Sequence, residues 1–162
     1  MKHLFLSSAL LVLTLLSAAP LSAQPRSVTI TIPAGVSFTV NNISTSTPGV
    51  PGSMNISFTN TVNFKKNDSF NISVKADTAS FSGPPGTTNP IPASAVAWTA
   101  ATTYGVAVGG TLSSSAYSHV YASPNDPLTG DVTLHWTLGP LTAAGLRAGT
   151  HTLTVRWRLE FL

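Results

Sequence analysis

The final stretch of the chain, Gly149 to Leu162, reads GTHTLTVRWRLEFL and alternates from Leu153 without interruption. Leu153, Val155, Trp157, Leu159 and Phe161 fall on one side of an extended chain, with Thr152, Thr154, Arg156, Arg158 and Glu160 on the other. A period of two predicts a β-strand with one apolar face, because a helix returns to the same face only every three or four residues. An upstream segment has the same pattern: Val132, Leu134, Trp136 and Leu138 alternate with Thr133, His135 and Thr137. Nothing earlier continues the spacing between the two segments, so they are read as two strands of one sheet rather than a repeat array. Each is expected to send its tryptophan into a shared core. Burying five apolar side chains of the last strand would contribute about 1.5–3 kcal/mol each before entropy is subtracted, so its deletion is expected to unfold the domain.

The remaining signals are of the same kind. Alternation predicts strands over Ser27 to Ile32, over Val36, Phe38 and Val40 after a Pro33-Ala34-Gly35 turn, over Met54 to Thr59, and over Phe70 to Ala76. Further strands are expected at Ala95 to Ala100 and Tyr117 to Ala122, with a weaker edge strand in the glycine-bearing stretch Tyr104 to Leu112. Lys65, Lys66 and Asp68 mark a hairpin turn, while Ser44 to Ser53, Gly83 to Pro92 and Pro124 to Gly130 have the proline and glycine density of loops. A helical turn is expected only at Leu141 to Leu146. The fold class is therefore all-β, an immunoglobulin-like antiparallel β-sandwich of about 7–9 strands.

The first 23 residues read differently. Lys2 and His3 precede an apolar run, Leu4 to Leu16, followed by small residues and Leu21-Ser22-Ala23. This is the order of a secretory signal peptide, and the run is short for a bilayer span. Cleavage after Ala23 leaves 24–162 as one expected β-sandwich domain with no membrane span, exported to the cell surface or medium, through a periplasm in transit. The chain contains no cysteine, so disulfides and thiolate metal sites are excluded and the fold must rest on packing and backbone pairing. Its few bases are scattered rather than gathered into a stripe interleaved with aromatics, which argues against a nucleic-acid partner.

No pattern of reactive residues emerges. His119, His135 and His151 lack metal-ligand spacing, and no cofactor is expected. Asp68, Asp77, Asp126, Asp131 and Glu160 lie mostly at turns with nothing pairing any two of them, and Ser113-Ser114-Ser115 is no nucleophile elbow. The reading is non-enzymatic. Asn42, Asn55, Asn67 and Asn71 open glycosylation sequons, relevant only in a glycosylating host. Tyr104, Tyr117 and Tyr121 are candidates for an exposed sugar-binding platform, whereas Trp98, Trp136 and Trp157 have the parity of core residues.

Ala148-Gly149-Thr150-His151-Thr152, with Gly149 fourteenth from the end and Phe161 penultimate, resembles the closing strand of bacterial chaperone-usher pilus subunits and spore-coat-U-like proteins. His151 and Phe161 stand where those families carry tyrosines, and similar endings occur in other secreted immunoglobulin-like modules such as BACON-type domains. The pilin resemblance implies a structural subunit of a fimbria-like fibre or coat, assembled by β-strand addition to itself or to a periplasmic-chaperone-type partner. In that scheme Gly149, Leu153, Val155, Trp157, Leu159 and Phe161 flank a groove, and Val28, Ile30 and Ile32 form a candidate assembly strand. The latter segment is read more readily as the first strand of its own sandwich, because the Pro33-Ala34-Gly35 turn leads straight into another strand with little linker. The alternative is a self-contained secreted immunoglobulin-like binding module, with carbohydrate one candidate partner.

Overall fold

The computed structural model describes residues 25–125, 129–142 and 144–162, without the side chains of 60 and 61. The expected signal peptide, Asp126 and part of the Leu141 to Leu146 stretch lie outside the described residues. In chain order the strands are β1 (Ser27–Thr31), β2 (Thr47–Pro48), β3 (Met54–Val62), β4 (Phe70–Ala76) and β5 (Val96–Thr102). They continue as β6 (Val106–Ala107), β7 (Gly110–Thr111), β8 (Ser118–Ala122), β9 (Gly130–Leu138) and β10 (Val155–Phe161). Seven of the ten strands have five residues or more. The one described helix is a 3-10 turn at Ala93–Ala95.

Two antiparallel sheets pack face to face. The larger has the order β1-β3-β9-β5-β7, with β2 pairing the end of β9, and the smaller has the order β10-β4-β8-β6. The order β1-β3-β9-β5 matches the A-B-E-D sheet of an immunoglobulin sandwich, and β10-β4 matches F-C of the other sheet. A complete sandwich of that kind has a further strand, G, on the outer side of F. Among the described residues, no strand pairs with β10 on that side.

Alternation places the inner faces. On β4, Phe70, Ile72, Val74 and Ala76 are buried, and on β9 Val132, Leu134, Trp136 and Leu138 are buried against them. Aromatic contacts close one end of the sandwich: Phe58 of β3 lies 5.3 Å from Phe70 and 4.9 Å from Tyr121, ring centre to ring centre. Tryptophans gather toward the other end, Trp98 and Trp136 at 5.3 Å and Trp136 and Trp157 at 6.5 Å, edge-on.

Four expectations need correction. The paired tryptophan segments belong to different sheets: β9 is central in the larger one and β10 is an edge of the smaller, so their tryptophans meet across the core. Local alternation reports which face is apolar and carries no information on the neighbouring strand. The stretch with Val36, Phe38 and Val40 is half-buried but outside either sheet, joined only by an isolated Ser37 to Val50 bridge, because no described backbone runs beside it for longer. Tyr104 to Leu112 divides into β6 and β7, which join opposite sheets. The helical turn forms at Ala93–Ala95, whereas Ala144 and Gly145 form a turn with Gly145 at φ 77°.

Tyr121 shows what burial costs in this core. Its side chain is fully buried, and its hydroxyl donates to the Tyr104 carbonyl at 2.8 Å. Burial foremost, then Tyr104 and Asp131 nearby, push its pKa up from 10.0 to about 12. The unfolded chain loses this proton near pH 10, so the raised folded value means stability is complete below pH 10 and falls as pH rises from there to about 12. Tyr121→Phe is expected to cost about 1 kcal/mol at neutral pH. Melting curves across the alkaline range should show the wild type losing its advantage over the variant; a constant difference would contradict this account.

Candidate functional site

Burial falls sharply between the two outermost strands of the smaller sheet. Trp157, Leu159 and Phe161 of β10 stand opposite Val74, Ile72 and Phe70 of β4. The β4 members are buried, yet Leu159 is 36% and Phe161 38% exposed, and Leu153, Val155 and Trp157 are only half-buried. The expected burial of all five apolar side chains of the last strand is therefore not met. Each of them faces inward, but nothing among the described residues covers them fully.

Toward Gly149 the uncovered region is an apolar groove of about 1180 Å³, lined by Gly149, Leu153, Val155 and Trp157 but, against expectation, not by Leu159 or Phe161. One part of its lining is Val36, Phe38 and Val40, from the stretch that follows β1. Another is Leu153, Val155 and Trp157, and Trp136 and Leu138 of β9 reach it from the larger sheet. Leu141, Leu146 and Phe81 line it from the long loops. At the far end of β10 the two sheet edges are tied together. Arg26, just before β1, donates to the Leu162 carbonyl at 2.8 Å, lies 5.7 Å from the centre of the Phe161 ring and pairs with Asp68 at 3.5 Å. The sandwich is thus fastened at one end of this side and open toward Gly149.

Backbone geometry supplies the second half of the site. Leu162 and Ser69 exchange both backbone hydrogen bonds, Thr152 and Ser82 do the same, and the Thr154 carbonyl accepts from Asp77. All three β10-side residues are even-numbered. Because an antiparallel strand turns its N–H and C=O groups alternately to either side, those of Leu153, Val155, Trp157, Leu159 and Phe161 point away from β4. The same odd-numbered residues present apolar side chains inward and, outward, backbone that pairs with no strand among the described residues. An apolar small molecule satisfies only the first demand, whereas an extended peptide satisfies both.

The charged side chains of β10 lie on its opposite face, whereas Arg147 of the preceding loop lines the groove. Arg156 is hydrogen-bonded to Asp77, which holds the guanidinium pKa above its usual range, and Arg158 pairs with Glu160 at 2.9 Å. Gly149 has a local reason for its identity. Its φ is +138°, a conformation that L side chains rarely adopt, and a Cβ there would lie 2.6 Å from Cγ of Pro84. It lets the chain pass close to that loop on its way into β10.

The remaining sequence candidates separate. Val28, Ile30 and Ile32 are half-buried against the core, with β1 paired to β3 from Ser27 opposite Val62 to Thr31 opposite Ser57. The segment is thus the first strand of its own sandwich, and Ile32 alone of the three lines the groove. Tyr121 is in the core and cannot join an exposed platform, the Arg158 guanidinium lies 4.4 Å from the centre of the Tyr117 ring, and Tyr104 is half-buried. His135 is exposed with Nδ1 2.7 Å from the Gly52 carbonyl, and His119 Nδ1 is 3.4 Å from Ser73 Oγ. Among the described residues, no three histidines or carboxylates converge, and no helix is long and apolar enough to cross a membrane. Val36, Phe38 and Val40 carried a usable signal, alternation without charge, but it reads the same for a strand and for a groove wall.

No protein-family model, curated protein or solved structure matches the chain.

The orientation of β10 makes a prediction. Val155→Pro removes an outward N–H, which an edge strand tolerates, and should leave the protein folded. Arg158→Pro removes an N–H directed at β4 and should destabilise by 1 kcal/mol or more, roughly the worth of a lost backbone hydrogen bond. Chemical denaturation of both variants measures this; equal losses would place the free edge wrongly.

Proposed function

We propose that the protein is a non-enzymatic, exported structural subunit of a fimbria-like fibre or surface coat that assembles by accepting a β-strand from a neighbouring subunit. The observation that carries this reading is the coincidence of an open apolar groove with the unpaired outer edge of β10, at the position where a complete sandwich holds strand G. The resemblance of Gly149 and Phe161 to the closing strand of pilus subunits supports the same reading. Because β1 is already engaged by β3, Val28, Ile30 and Ile32 reach a neighbour only if β1 is first released, so the incoming strand belongs to a segment not engaged in its own sandwich. The carbohydrate-binding alternative draws no support from the buried Tyr121 and the covered Tyr117.

A peptide that enters the groove binds the folded state alone and must raise its stability, by about 2.7 kcal/mol at a hundred times its dissociation constant. The purified protein is therefore expected to melt at higher temperature with a peptide copying Gln24–Pro33, whose Val28, Ile30 and Ile32 alternate correctly. Val155→Pro should abolish the shift while leaving the fold intact. A wild-type protein that stays monomeric at all concentrations and is unmoved by this peptide would overturn the reading.

A further inference from the structure

Each sheet ends in two edge strands, β1 and β7 in the larger, β10 and β6 in the smaller. An open edge is a template for pairing with another chain, and sandwiches guard theirs by keeping them short, bulging them, or placing proline or lysine on them. Three of these four are guarded. β6 and β7 have two residues each, and the pairing of β1 with β3 shifts register between Ser27 and Thr29. β10 is different: it runs for seven residues, pairs with β4 from Val155 to Phe161 without a shift, and contains neither proline nor lysine. Beyond Trp157 this edge no longer lines the groove, and Leu159, Phe161 and Leu162 stay exposed.

The order of charges on β10 says which chain fits that edge. Its outer face carries Arg156, Arg158 and Glu160. Two copies of β10 laid edge to edge and antiparallel must match odd-numbered residues with odd-numbered ones, since those alone direct their N–H and C=O groups outward. With Trp157 opposite itself, Arg156 faces Arg158 of the partner subunit. With Arg158 or Glu160 opposite itself, two like charges meet on the axis. Only with Leu159 opposite itself do opposite charges meet and like charges do not: Arg158 faces Glu160 of the partner subunit on both sides of the axis. Directly opposed side chains of opposite charge stabilise a pair of strands, and like charges destabilise it. Arg158 and Glu160 already pair within one chain at 2.9 Å, so the four charges close into one alternating ring. On the inner face the same register sets Trp157 beside Phe161 of the partner subunit.

We propose that two copies of the chain pair through β10 about a two-fold axis at Leu159, joining their smaller sheets into one continuous sheet. The contact is isologous, each copy offering the same edge to the other. It occupies the edge that strand addition uses and leaves the groove unfilled, so it is a resting state that an incoming strand displaces. It stands on the unguarded edge and the charge order and does not require the strand-addition reading.

Sedimentation of the purified protein over a range of concentrations, without peptide, should show a reversible monomer–dimer equilibrium. Arg158→Glu sets acid opposite acid and Glu160→Arg sets base opposite base, so each variant alone should dimerise about ten-fold more weakly or worse. An equimolar mixture of the two variants should recover the dimer, because every opposed pair is again of opposite sign; loss of fold, or of the Arg158 contact with Tyr117, would not give that recovery. Leu159→Pro removes the outward N–H on the axis and should abolish the dimer, whereas Val155→Pro lies outside the paired span and should keep it. Should Leu159→Pro fail to fold, the mixture decides. A wild-type protein that stays monomeric, or charge variants that dimerise as well as it does, would overturn this inference and leave strand addition to the peptide-induced shift in melting. Growth past the dimer into open polymers would overturn it while supporting strand addition.

Discussion

The fold depends first on the packing of Phe58 against Phe70 and Tyr121, the contact by which the two sheets hold each other. All three rings are fully buried, and with no disulfide available the chain has little else to staple one sheet to the other. Around this contact the inner faces of β3, β4, β8 and β9 fill the sandwich completely. Arg26 extends the closure to the outer strands by joining the start of β1 to the end of β10.

Away from that end the same two sheets part company. The tryptophans fill width rather than close it: Trp98, Trp136 and Trp157 form a row from β5 through β9 to β10, and beyond Trp157 nothing described completes the layer. The consequence is a strand with two unmet demands among the described residues, apolar side chains half in water and main-chain groups without partners. Burial and backbone pairing are normally satisfied together in a sheet, and one incoming strand would satisfy both at once. This is why the groove is read as a place for a polypeptide.

Much of this was legible in the residues. Alternation located β4 to the residue and β3, β5, β9 and β10 to within about three residues at their ends, proline and glycine density located the loops, and Gly149 stood out before its positive φ and its approach to Pro84 gave the cause. Other features were invisible for one reason. A period of two records how a segment divides its side chains between two faces, and a segment does so alike whether its apolar face meets a finished core, as in Phe70, Ile72 and Val74, or a vacancy, as in Val155 and Trp157. Val36, Phe38 and Val40 illustrate the same ambiguity, since their alternation marks a groove wall that never joins a sheet.

The sequence by itself determined the strand-forming segments, their apolar faces and the reliance on packing in a chain without cysteine, because these follow from residue types and their spacing. The tertiary structure alone decided that the two tryptophan segments belong to opposite sheets, that β1 is spent on β3, and that β10 keeps a free edge beside an open groove. Those are statements about neighbours distant in sequence, and pairing partners are chosen by the fit of the whole sandwich rather than by any local pattern.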